Sequence, residues 1–212
     1  MHVFSSVEAI EILDCLTAAV LAAAASSRAH NVGAHFTGAV ILGCICGIAG
    51  GVGREIFLNG SPGVRLLLTA LPANALIGAL AGYFAVRFIK IKKYAVFLWI
   101  DAASLGLATS LGAILGLPEL GVVGALTLGL ASGLTPSIIR DASLGDTAMA
   151  VEKSWYAMAA ALGAMAAICC MLAAAIAPAL SFWRIGEYAV LTGATITTLV
   201  RGLKGRKISD NI

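Results

Sequence analysis

The chain is 212 residues long, 60% hydrophobic and 12% charged, with a formal net charge of +3 and a mean hydropathy of +0.97. An ordinary soluble domain carries about 25% charged residues, so this composition excludes a water-covered globule and points to an all-α integral membrane protein. Glycine contributes 24 residues, where ~7% is usual, and small residues let membrane helices approach closely where lipid gives no drive for association.

Seven apolar segments follow one another, at about 9–27, 35–57, 66–88, 95–115, 119–139, 155–177 and 181–201. Each is near the ~20 residues a bilayer requires. The first is preceded by Glu8, Glu11 and Asp14 without a lysine or arginine, which does not fit the basic start of a signal peptide, so it reads as a retained helix. The breaks are the polar run Arg28–Gly33, the turn Asn59-Gly60-Ser61-Pro62, the charge run Lys90–Lys93, Pro118 within Gly116–Glu119, the stretch Leu144–Lys153, and Pro178. The whole chain, 1–212, reads as one transmembrane domain. Its parts are a first repeat at about 9–90, a second at about 95–178, a seventh helix at about 181–201 and a basic tail at 202–212.

The repeat is the most informative feature. GIAGGVGREIFLNG (Gly47–Gly60) is answered by GLASGLTPSIIRDASLG (Gly129–Gly145): 86 residues on, Gly43 falls on Gly129, Gly47 on Gly133, Arg54 on Arg140 and Glu55 on Asp141. Asp14 answers Asp101 at an offset of 87. Lysine and arginine by side give eleven (Arg28, Arg87, Lys90, Lys92, Lys93, Arg140, Lys153, Arg201, Lys204, Arg206, Lys207) against three (Arg54, Arg65, Arg184) when the N-terminus is outside. This positive-inside bias puts the C-terminal basic run in the cytoplasm. Three segments per repeat then make the two triplets inverted, an architecture that sets functional sites where the repeats meet, near mid-depth.

Gly50, Gly51 and Gly53 in the second helix and Gly133 and Pro136 in the fifth are expected to weaken those helices. A helix broken in lipid leaves carbonyls that must face protein or water, and carbonyls with the hydroxyls of Ser132, Thr135 and Ser137 are hard ligands for alkali cations. The bland reading of any one glycine is close packing. The duplicated charges Arg54, Glu55, Arg140 and Asp141 weigh against it, since each costs about 2.5–3.5 kcal/mol in a membrane. Sequence neighbours do not face each other on a helix, so the expected partners are exchanged, Arg54 with Asp141 and Arg140 with Glu55. Asp14 and Asp101 read equally as cation-attracting groups at two pore mouths or as helix N-caps. The cysteines Cys15, Cys44, Cys46, Cys169 and Cys170 read as core thiols, and no metal site, cofactor or nucleic-acid partner is expected. The three histidines precede position 36 and the glycine run lacks a following Gly-Lys-Ser/Thr, so an enzyme is the weakest class.

The doubled glycine-rich block ending in Arg-acid, with Leu13-Asp14 ahead of the first copy, resembles the prokaryotic members of the trimeric intracellular cation (TRIC) channel family. The resemblance runs from about Ile12 to the sixth helix. It implies seven helices in two inverted triplets and a homotrimer in the plasma (inner) membrane with one pore per subunit. It also implies conduction of monovalent cations, chiefly potassium and also sodium, lined by kinked helices two and five. Membrane lipids are the other expected partner, with the basic runs facing lipid head groups. Glu55 stands where such repeats more often carry Asp. Related bacterial sequences are also proposed as carriers of glycine or another small amino acid, and that alternative stays open.

Overall fold

A computed structural model of the chain describes residues 6–59, 70–88, 93–152, 154–176 and 185–209. Among these residues every regular element is helical: α1 (Ser6–Asn31), α2 (Phe36–Asn59), α3 (Leu71–Phe88), α4 (Lys93–Ser143), the single turn α5 (Met149–Glu152), α6 (Ser154–Ile176) and α7 (Ile185–Ser209). A helix satisfies its own backbone polar groups, which is what an apolar chain in lipid demands. Five of these helices are long and apolar enough to cross a membrane. The apolar surface faces outward as lipid requires: Ile41, Ile77, Val123 and Ile176 are each 60% exposed or more.

The long α4 is a hairpin. At Gly121 the backbone takes φ 66° and ψ −174°, a conformation essentially restricted to glycine, and the chain folds back into two legs, 93–120 and 122–143. Thr109 meets Gly133, Ala113 meets Gly129, and Gly116 meets Ala125 across the hairpin. The sequence placed this break at Gly116–Glu119, around Pro118. The helix runs through Pro118, because a proline removes one amide but leaves helical φ accessible, whereas the reversal needs a residue without a Cβ.

The same packing occurs twice. A Cβ on Gly43 would stand 2.9 Å from the Ala22 carbonyl oxygen, and one on Gly47 2.7 Å from that of Ala18. Their counterparts Gly129 and Gly133 meet the carbonyls of Thr109 and Leu105, at 2.6 and 3.3 Å. Thus α2 packs on α1 as the second leg of α4 packs on the first. The first leg runs antiparallel to α1: Leu13 clusters with Leu107 and Leu111, while Leu21 and Ala25 lie with Asp101 and Ser104. On the first triplet α3 closes against α1, Gly78 over Ala19 and Gly82 over Ala23. On the second, α6 and α7 pack against the first leg and each other, Gly106 on Ala194 and Gly163 on Gly193 and Thr197.

Several expectations change. α2 is one uninterrupted helix, and within α4 non-helical φ/ψ occurs only at Gly121, so Gly50 and Gly133 act as contact points rather than breaks. α7 continues to Ser209, taking in the basic run expected as a tail from 202. Residues 60–62, 66–69 and 181–184, Arg65, Lys90, Lys92, Lys153, Pro178 and Arg184 lie outside the described residues.

Candidate functional site at the crossing of α2 and α4

The site begins where α2 crosses the second leg of α4. A Cβ on Gly50 would be 2.9 Å from the Ser132 carbonyl oxygen and 3.4 Å from Pro136 Cγ, and Ser132 Oγ lies 3.5 Å from the Gly50 carbonyl oxygen. Only glycine permits that approach. Gly50 thus touches its own counterpart in the repeat, Pro136 at the 86-residue offset, so the crossing lies where the two triplets meet.

One helical turn beyond the crossing, on each helix, comes the arginine. Arg54 Nη2 donates to Asp14 Oδ2 at 2.6 Å. Arg140 donates through Nη1 to Asp101 Oδ1 and through Nε to Asp141 Oδ1 at 2.7 Å. Because α1 and the first leg are antiparallel, as are α2 and the second leg, the two pairs lie at opposite ends of the crossing. Each arginine is matched with the aspartate of its own triplet's first helix.

This replaces the expected exchange. Arg54 pairs with Asp14 rather than Asp141, and Arg140 pairs with Asp101 and its neighbour Asp141 rather than Glu55. The neighbour pairing succeeds because the Arg140 side chain is long enough to turn its Nε back onto the next carboxylate, although their Cβ atoms diverge. Asp14 and Asp101 are not N-caps. Each lies eight residues past the start of its helix, Ser6 and Lys93 respectively, where amides are already bonded within the helix.

The two pairs are unequal. The Arg54 and Asp14 side chains are 6% and 17% exposed, those of Arg140 and Asp101 2% and 1%. The deeper cluster also has a second cation that the sequence reading left at the inner end of the seventh helix, outside the candidate site. Arg201, on α7, is buried and donates through Nη2 to Asp101 Oδ2. Its guanidinium carbon is 4.1 Å from the centroid of the Tyr156 ring, a cation–π stack, and the Tyr156 hydroxyl is 2.6 Å from Ser137 Oγ. Arg140 and Arg28 reach the Phe97 ring at 5.2 and 5.6 Å, and Arg28 pairs with Asp146 at 2.7 Å. Asp141 Oδ2 accepts the Met149 amide at 3.0 Å. The signal for Arg201 was present: Gly193, Thr197 and Arg201 repeat every four residues, a single face of α7, and that face packs inward.

Of the other residues singled out, Gly51, Gly133 and Ser137 are buried and Glu55 and Thr135 half-buried. Gly53 meets no atom within 4 Å where a Cβ would stand and takes no part in the crossing. Between the crossing and the deeper pair, Leu21, Ala25, Cys46, Asp101, Pro136 and Arg140 line a crevice too narrow to hold a water molecule. Chemically the arrangement is a seam between two like halves, closed at each end by an ion pair, with carboxylates and hydroxyls able to take a cation only when an arginine lets go.

The fold is similar to that of known channels. Against the TRIC trimeric intracellular cation channel orthologue from Rhodobacter sphaeroides the TM-score is 0.76 at 26% identity, over 92% of this chain and 96% of that one. Against a prokaryotic TRIC channel crystallised in 0.5 M KCl it is 0.77 at 20% identity, over 91% and 95%. Against a TRIC cation channel structure bearing on conductance it is 0.69 at 23% identity, over 92% of each. No curated protein matches the chain. A family model described as glycine transporter matches residues 11–87 and 98–172, one stretch per triplet, and the chain belongs to that family, the one that holds the prokaryotic TRIC channels.

Proposed function

We propose that this multi-pass membrane protein is a monovalent cation channel, chiefly potassium-permeable, with one path per protomer along the seam between α2 and the second leg of α4. The path is closed in the conformation described above. The observation that carries this reading is the pair of arginine–aspartate bridges at opposite ends of the Gly50–Pro136 crossing. Buried arginines on a cation path repel the cargo unless they are neutralised, and here each is held by a carboxylate that is itself a cation ligand. Parting a bridge turns one group that blocks and one that is masked into an open mouth.

On this reading the chain crosses the membrane seven times. α1 to α3 form one triplet, the two legs of α4 with α6 form its inverted copy, and α7 is the seventh crossing. The recurrence of the glycine contacts and of the Arg–Asp bridge supports the inversion. α7 is the most polar of these, yet Thr192, Thr195, Thr197 and Thr198 each donate to the carbonyl four residues back, which relieves the cost of hydroxyls in lipid. The N-terminus faces out, the C-terminus lies in the cytoplasm of a prokaryote, and three copies assemble, as in the trimeric orthologue from Rhodobacter sphaeroides.

The alternative is a carrier for glycine or a similar zwitterion, favoured by the family's description and by barriers at both ends of one seam, which alternating access requires. Reconstitution into planar bilayers under a potassium gradient separates the two. Discrete current steps reversing near the potassium equilibrium potential are expected. Silent bilayers together with saturable counterflow of labelled glycine would replace the channel by the carrier.

A further inference from the structure

We propose that Arg201 is a gating residue, and that α7, the helix outside the repeats, holds the deeper barrier shut by giving Asp101 a second cation. The inference rests on the seam being a path, whatever crosses it. At the other end, among the described residues, Asp14 is bridged by Arg54 alone. At this end Asp101 divides its two oxygens between Arg140 and Arg201, and Asp141 balances the second positive charge. The four groups sum to zero across both legs of α4 and α7. Arg201 is further fixed by its stack on Tyr156, whose hydroxyl meets Ser137, the residue that follows Pro136 at the crossing. A displacement of α7 therefore reaches the seam by two routes, through Asp101 and through Tyr156. Arg140 cannot swing away as Arg54 can, because its principal carboxylate is pinned from behind by a third element. The duplicated block thus closes two unequal barriers, and the chain's C-terminal helix controls the stronger one.

Cys46 makes this testable, since it lines the crevice beside Pro136 and Arg140 and is 1% exposed. The full-length chain, with Cys15, Cys44, Cys169 and Cys170 changed to alanine, is reconstituted in liposomes. A membrane-impermeant cationic methanethiosulfonate is then added to one face at a time. Arg201→Gln is expected to speed Cys46 labelling at least about tenfold, the worth of one charged hydrogen bond, from the face that carries Arg28 and Asp146. From the opposite face the rate should stay at the wild-type value, and Arg54→Gln, whose bridge lies beyond the Gly50–Pro136 contact, should leave labelling from the face of Arg28 and Asp146 unchanged. An unchanged rate in Arg201→Gln beside a raised rate in Arg140→Gln would overturn the proposal, as would equal acceleration from both faces. Should Arg201→Gln fail to yield folded protein, Arg201→Lys decides: it keeps the charge but loses the fork, so a smaller, same-sided rise supports the proposal and a wild-type rate overturns it. Labelling is indifferent to cargo. Faster labelling without unitary currents removes the channel and leaves the gate, and currents with unchanged labelling do the opposite.

Discussion

Arg140 is enclosed by two carboxylates and an aromatic ring, Arg54 by one carboxylate at a partly open site, although the two occupy the same place in a duplicated block. Their substitutions should differ accordingly. Arg140→Ala leaves Asp141 without its cation in a buried setting and Asp101 with Arg201 alone of the two cations described, and removing one partner of a buried ion pair costs about 3–5 kcal/mol. Arg54→Ala strands only Asp14, which retains access to solvent, and should cost clearly less. Thermal melting of detergent-solubilised protein should rank Arg140→Ala well below Arg54→Ala, with Arg87→Ala, an exposed control, indistinguishable from wild type. Equal melting of all three would remove any structural weight from the bridges. At this scale the sequence was only half legible. It marked Arg54, Glu55, Arg140, Asp141, Asp14 and Asp101 as the charges to watch, through their matching offsets. It did not show who pairs with whom, since that depends on α1 lying beside α2 and on the reach of an arginine side chain.

Among the helices, the glycines divide into those that carry a contact and those that carry none, and the division is invisible in the run GIAGGVG. Gly47 faces the Ala18 carbonyl and Ala75, while Gly53 and Gly38 face open space. Gly47→Leu should therefore force α2 off α1 and α3 and lose folded protein, whereas Gly53→Ala and Gly38→Ala should be neutral or slightly stabilising, alanine being favoured over glycine in a helix by up to ~1 kcal/mol. Yield of monodisperse protein on size exclusion reads the difference, and a monodisperse Gly47→Leu would refute the packing role. The hairpin in α4 makes a second case. A side chain at Gly121 is strained by about 1–3 kcal/mol at its observed φ and ψ, so Gly121→Ala should lower the melting temperature even though nothing lies near its Cβ. Element boundaries were read to within a few residues where turn chemistry was strong, as at Arg28–Gly33. They were misplaced at Pro118, because proline is the louder signal and glycine, three residues on, made the turn. The expected broken helices failed for a related reason: a glycine permits a break, but a neighbour's carbonyl at contact distance makes the unbroken helix the better packed state.

For the molecule as a whole, the proposed path, with two barriers in series on one seam, makes a quantitative demand that one barrier does not. If each bridge independently holds its end of the path shut, opening one leaves flow limited by the other, and flow rises steeply only when both are open. Potassium efflux from liposomes should therefore increase modestly in Arg54→Gln and in Arg140→Gln, and by more than the product of the single effects in the double variant. Super-multiplicative behaviour is what two barriers in series produce, because the barrier left closed in each single variant hides most of the effect of opening the other. Single variants as permeable as the double would mean that only one of the two ends is ever closed, and the symmetry of the fold would then have no counterpart in its working.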